Sequence, residues 1–131
     1  MFAREYVEEK IVARLTKVKE DDVFVSDRDY AHMLRFLDGT FHRLANNSKI
    51  PGFSEDDLIS FMYLKTHQLM RRDQWDETRN FRTIAYRSMT NLIRDIIRMQ
   101  DKAINRGLDR DPLDIVIFEF TESPRHLERI M

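Results

Sequence analysis

The sequence predicts an all-α chain folded as a compact helical bundle, and three observations predict it. The 131 residues include only three glycines and three prolines, too little turn punctuation for a β-rich fold built on tight hairpins. Apolar residues recur at three- and four-residue spacing through four long stretches, the repeat that places them on one helical face. Two of those stretches open on serine followed by acids, the pattern of a helix start. A composition of 42% hydrophobic and 34% charged residues suits one apolar core under a charged surface. The length fits a single domain, with an N-terminal helix and linker at 1–25, a helical domain at 26–106 and a tail at 107–131.

The first helix is expected over 2–19. Tyr6-Val7, Ile11-Val12, Leu15 and Val18 mark its buried stripe, with Glu5, Glu8 and Glu9 early and Lys17 and Lys19 late. That order of charge opposes the helix dipole at both ends. Glu20-Asp21-Asp22 breaks the pattern and opens a loop. A second helix starts at Ser26 or Asp27, where a side-chain oxygen accepts an orphan backbone N–H. Its stripe is Tyr30, Met33-Leu34, Leu37, Phe41 and Leu44, and Asn46-Asn47-Ser48 with Pro51-Gly52 end it.

Ser54 before Glu55-Asp56-Asp57 starts a third helix, with acids filling its first turn. Leu58, Ile59, Met62, Leu69 and Met70 carry it to about Arg72. After a connection at 76–80, a fourth helix spans about 82–106 on Ala85, Met89, Leu92-Ile93, Ile96-Ile97 and Ile104, with Gly107 as terminator. The run 113–120, Leu-Asp-Ile-Val-Ile-Phe-Glu-Phe, is β-branched and aromatic. It reads as a short strand or an extended docking segment, and Ser123-Pro124 opens a last short helix.

Several classes of function find no support. The chain has no cysteine, hence no disulfide, thiolate metal site or thiol nucleophile. His32, His42, His67 and His126 are scattered without metal-ligand spacing, and the carboxylate pairs occur as capping or loop runs with no converging base. No glycine-rich phosphate loop is present. The expectation is a chain that is not an enzyme and takes no cofactor or metal. No stretch reaches the roughly 18 apolar residues of a membrane span and no signal peptide opens the chain, so a cytoplasmic location is expected.

The net charge of −1 conceals an uneven layout. Residues 82–106 carry Arg82, Arg87, Arg94, Arg98, Lys102 and Arg106 against Asp95 and Asp101, a net of +4. Residues 107–131 carry a net of −3. A basic segment within a near-neutral chain marks either a local anionic partner or a solvated helix face.

Three fragments in order give the chain a resemblance. Ser54-Glu55-Asp56-Asp57-Leu58-Ile59 is followed by Trp75-Asp76, then by Phe81-Arg82-Thr83-Ile84-Ala85 and Leu92-Ile93-Arg94. Their order and spacing resemble region 2 of the sigma-70 family, over roughly residues 27–100. The turn Trp75-Asp76-Glu77-Thr78-Arg79 with Ala85-Tyr86 looks most like the compact late-promoter sigma factors of tailed bacteriophages. Those factors keep region 2 and lack the C-terminal helix-turn-helix. Roughly 30 residues follow Arg98, which suits that reduced plan.

The resemblance implies two partners. The third helix would dock on the clamp helices of the largest subunit of core RNA polymerase through Asp56, Asp57, Ser60, Phe61, Tyr63 and His67. Phe61 stands where the family usually has Glu, so Phe61 and Tyr63 would form an exposed aromatic hot spot. The alternative makes Phe61 a core residue and Asp57 a cap. The fourth helix would melt a short AT-rich element of promoter DNA. Phe81, Tyr86 and Trp75 would stack on unpaired bases; Arg79, Arg82, Arg87 and Lys102 would meet phosphates, and Thr83 and Arg98 belong to the same DNA-binding set. Asn91 and Arg94, a turn apart, would read base edges. Phe81 and Tyr86 have core packing as their alternative. The family's paired Trp wedge aligns with Arg87 and Ser88, a departure that implies an altered promoter sequence. By analogy the tail 113–120 would engage the sliding clamp or the polymerase flap, or pack back on its own domain. A different class of function also fits: a helical polymerase-binding adaptor or regulator that leaves DNA untouched.

Overall fold

The computed structural model describes residues 3–72 and 81–105, and contains four helices: α1 (Ala3–Leu15), α2 (Asp27–Asn47), α3 (Glu55–Arg71) and α4 (Phe81–Asn105). The all-α expectation holds, with no strand among the described residues. None of the helices is long and apolar enough to cross a membrane.

Helices α2 and α3 begin for local reasons. Ser26 caps α2, its hydroxyl accepting from Asp29 N at 3.1 Å. At α3 a reciprocal capping box forms. Asp57 N donates to Ser54 Oγ at 3.1 Å, and Ser54 N donates to Asp57 Oδ2 at 2.9 Å, so two orphan donors are satisfied together. The α2–α3 turn needs Gly52, whose φ of +88° lies in the left-handed region that side chains disfavour. The Gln100 side-chain amide donates to the Pro51 carbonyl and ties this turn to α4.

The central pair is α3 and α4. Both α1 and α2 pack on that pair, but not on each other. From α1, Val7, Ile11 and Leu15 enter the core at every fourth residue, so the N-terminal helix shares one core with the rest. Phe41, Leu37, Leu58, Met62, Met70, Met89 and Ile96 fill the centre, all fully buried. Buried Thr66 and Gln68 find partners, as desolvation favours. Thr66 Oγ1 donates to Met62 O at 2.8 Å, and Gln68 Nε2 donates to Arg14 O at 3.0 Å.

The buried stripes of α2 and α3 match expectation, with three amendments elsewhere. Val18, expected on the buried stripe of the first helix, lies past its end and is 70% exposed. Helix α1 stops at Leu15, four residues before the expected end. The Leu15 and Lys17 carbonyls accept instead from Arg71 and Arg72 at the end of α3. Ile97, expected in the core, is 40% exposed. Buried Gln100 and Ala103 continue the inward face of α4 in its place.

Candidate functional site

The outward face of α4 collects the residues of interest. Its core side is set by Phe81, Ala85, Met89, Leu92, Ile93 and Ile96, all buried. At 3.6 residues per turn, Thr83, Arg87, Asn91, Arg94 and Arg98 then fall on the opposite side, and all five are exposed. Tyr86 sits at the flank, 47% exposed.

Two linked hollows run along this face. One, of about 250 Å³, is lined by Thr83, Tyr86, Arg87, Thr90, Asn91 and Arg94. The other, of about 500 Å³, lies between α2 and the start of α4, where Phe36, Thr40 and Arg43 face Arg82, Thr83 and Tyr86 across Gly39. Thr83 and Tyr86 belong to both, which makes one groove. Its chemistry is mixed: two aromatic rings half in solvent, guanidinium groups and small hydroxyls. The Arg82 guanidinium stacks over the Phe36 ring at 4.6 Å from its centroid, a cation–π contact that holds both at the rim.

Charge along the groove is largely uncompensated. Arg87 and Arg94 form no ion pair with any described residue. Arg98 meets Asp95 at 3.8 Å, and Asp95 is shared with Arg14 of α1 at 3.4 Å. At such exposure these pairs contribute little, roughly 0–1 kcal/mol each, and Arg98 stays available to an anion. Thr90 Oγ1 donates to Tyr86 O at 2.9 Å, so its hydroxyl is turned back to the helix.

The structure keeps six of the expected DNA-facing residues on the surface together: Arg82, Thr83, Tyr86, Arg87, Asn91 and Arg94, with Arg98 and Lys102 further along. It does not so keep Phe81. That ring is 3% exposed, because it opens α4 on the core stripe shared by Ala85 and Met89, and it has no face to offer a base. Trp75 and Arg79 lie outside the described residues, as do Gly107 and the whole tail 107–131.

On α3 the expected docking set divides. Asp56 and Ser60 are exposed, with Ser60 Oγ donating to Asp56 O at 2.9 Å. Asp57 is half-buried and structural: besides closing the capping box, its Oδ2 accepts from Arg4 at 3.2 Å. The Ser54 N–H, and after it the Arg4 side chain, hold its carboxyl below the usual range against the cost of burial. Phe61 is 5% exposed and meets Phe53 edge-on at 5.9 Å. An exposed Phe61 hot spot is therefore not what the fold presents; the ring belongs to the core. Tyr63 is half-buried against Phe41 at 5.7 Å, and its carbonyl accepts from Tyr30 Oη at 2.8 Å.

His67 is also half-buried, edge-on to Tyr30 at 4.9 Å. Arg71 Nη1 lies 2.6 Å from its Nδ1. Arginine can only donate, so Nδ1 accepts and the neutral ring carries its proton on Nε2. Burial, then the Arg71 charge, depress the His67 pKa, with Asp27 acting weakly in the other direction.

Phe36, Thr40 and Arg43 of α2 are groove residues that sequence reasoning passed over. A signal for them existed. They sit at i, i+4 and i+7, outside the stripe of Met33, Leu37 and Phe41, so a Phe there is misplaced for a core residue. Among the described residues no cluster of His, Asp and Glu is arranged to hold a metal ion. No protein-family model, curated protein or solved structure matches this chain.

Proposed function

We propose that this chain is a sigma-like transcription initiation factor. It binds core RNA polymerase through the exposed positions of α3 and recognises and melts a short AT-rich promoter element through α4. One observation carries the reading: Tyr86, Asn91 and Arg94 line a single open groove together with Arg87, which forms no ion pair with any described residue.

Opening a duplex requires that unstacked bases be held on one strand, at a cost of a few kcal/mol per base. An exposed aromatic face returns about 1–3 kcal/mol per stacked base. Tyr86 and Phe36 are the two such faces in the groove. Arg87, Arg94 and Arg82 suit phosphates, each releasing a counterion on contact. The Asn91 amide matches the donor and acceptor of adenine, and the Arg94 guanidinium matches guanine. AT-rich steps of the pyrimidine–purine kind unstack most easily, so a groove with two stacking rings suits them. The factor itself makes and breaks no covalent bond.

Thymine reactivity to permanganate in a promoter duplex, measured with core polymerase and this chain, tests the reading. The parent is expected to expose a short run of thymines. Asn91→Ala and Arg94→Ala are expected to close that run while still co-eluting with polymerase. Both variants opening the duplex like the parent would remove α4 from the melting step.

A further inference from the structure

The α4 groove carries charge of one sign. Arg43 and Arg82 line its wider hollow, Arg87 and Arg94 its narrower one, and no carboxylate of a described residue lines either. Asp95, next to Arg94 in sequence, is engaged instead by Arg14 of α1 and by Arg98. Beside these cations runs an apolar stripe. At 3.6 residues per turn, Tyr86, Ile97 and Ile104 share one flank of α4 to within about 20°. Tyr86 is 47% and Ile97 40% exposed, and Ile104 is half-buried. The stripe therefore leads from the groove to the last turn of α4, which ends at Asn105.

The sequence after Asn105 complements both features. Residues 111–122 hold Asp111, Asp114, Glu119 and Glu122 and no lysine, arginine or histidine. Between those acids lies the apolar run from Ile115 to Phe118. Four carboxylates thus match four guanidinium groups, and β-branched and aromatic side chains match a half-exposed stripe. Reach permits the match. Tyr86 lies about 28 Å back along α4 from Asn105 at 1.5 Å per residue. An extended chain carries residue 113 up to about 26 Å from Asn105, so the run 113–120 covers the distance from Ile97 to Tyr86 without strain. So short a tether gives an effective concentration of roughly millimolar, at which even a weak contact fills its site.

We infer that the occupant of the α4 groove in the free protein is the chain's own tail. The apolar run 113–120 covers the flank of Tyr86 and Ile97, and the acids of 111–122 pair with Arg43, Arg82, Arg87 and Arg94. An anionic strand needs the same cations and the same Tyr86 ring, so tail and nucleic acid exclude each other, and whatever draws the tail away opens the groove. The docking needs only the groove and the tail, whereas the exclusion rests on the reading of the groove as a nucleic-acid site.

Paramagnetic broadening in the full chain tests the docking. The sequence has no cysteine, so Ser123→Cys takes a single nitroxide label. The label is expected to broaden the amide signals of Thr83, Tyr86, Asn91 and Ile97 far more than those of Glu8 and Lys10 on α1. Ile117→Asp with Phe118→Asp should abolish the difference. No selective broadening in the labelled parent, or the same pattern in that variant, overturns the docking. Because this measurement contains neither DNA nor polymerase, it stands apart from the promoter-melting reading. The exclusion is read by fluorescence anisotropy with a single-stranded oligothymidine. A groove open about a tenth of the time binds about tenfold more weakly, so neutralising Asp111, Asp114, Glu119 and Glu122 to their amides should tighten binding about tenfold. The control is the same change of net charge made by Glu5→Gln, Glu9→Gln, Glu20→Gln and Asp21→Asn. Equal tightening in the control, or binding by the tail variant no tighter than the parent's, overturns the exclusion.

Discussion

Replacing Phe61 with alanine separates a packing role from a contact role. The ring is 5% exposed, sits beside the fully buried Met62 and meets Phe53 edge-on at 5.9 Å. Removing roughly 150 Å² of buried apolar surface costs about 4 kcal/mol at 25 cal/mol per Å². The lost edge-to-face pair adds about 0.5–1.5 kcal/mol, and partial collapse of the cavity returns some of this, which leaves about 3–5 kcal/mol. In a domain of this size that is a fall of roughly 12 °C or more in thermal midpoint. Tyr86→Ala, at a ring 47% exposed, should stay within about 0.5 kcal/mol of the parent, as exposed sites do. Urea unfolding followed by circular dichroism at 222 nm reads both, with an unchanged m-value as the check on two-state behaviour. A Phe61→Ala loss under about 1 kcal/mol would show the ring to be a surface group. For the same reason, Phe61 and Asp57 make poor probes of polymerase docking: either change would weaken binding by loosening α3. Asp56 and Ser60 are the cleaner positions.

Three further outcomes follow from the geometry. Gly52→Ala should cost about 1–2 kcal/mol, because its φ of +88° is disfavoured for any side chain and a new Cβ would lie 3.4 Å from the Gln100 amide; no change in the urea midpoint would contradict this. His67 has its pKa depressed below 6.5, so the unfolded chain binds more protons than the folded one as pH falls through 6.5. Stability should therefore drop from neutral pH downward until the folded value is passed, and His67→Gln should flatten that slope in thermal melts; an identical slope in the variant would exclude the histidine. Arg87→Gln should weaken binding of the polymerase complex to promoter DNA about uniformly across sequences and lower the slope of log K against log salt by about 1; an unchanged slope would mean that Arg87 meets no phosphate.

Much of the fold was legible because its signals are local. The serine-led starts of α2 and α3, and the 3.6-residue stripes of Leu37, Phe41, Met62 and Met89, need no knowledge of what lies across the core. Misreadings arose where a distant residue decides. Phe61 is buried because Phe53 and the turn before α3 fold over it, which the spacing of α3 alone leaves open. The end of α1 is set by Arg71 and Arg72, more than 50 positions away in sequence, which take the carbonyls that another turn of helix would have used. At the site, Tyr86, Asn91 and Arg94 were readable as the polar side of one helix. The opposite wall, Phe36 and Arg43, depends on how α2 crosses α4, and no local pattern reports a crossing.

The central claim is that the α4 groove opens promoter DNA while α3 rides on polymerase. Mapping transcription start sites on the chain's own genome, with purified core polymerase plus or minus this protein, addresses it most directly. The account predicts new starts that depend on the protein, share one short AT-rich element upstream, and disappear with Arg94→Ala. Starts that are the same with and without the protein, or that persist in the variant, would contradict it.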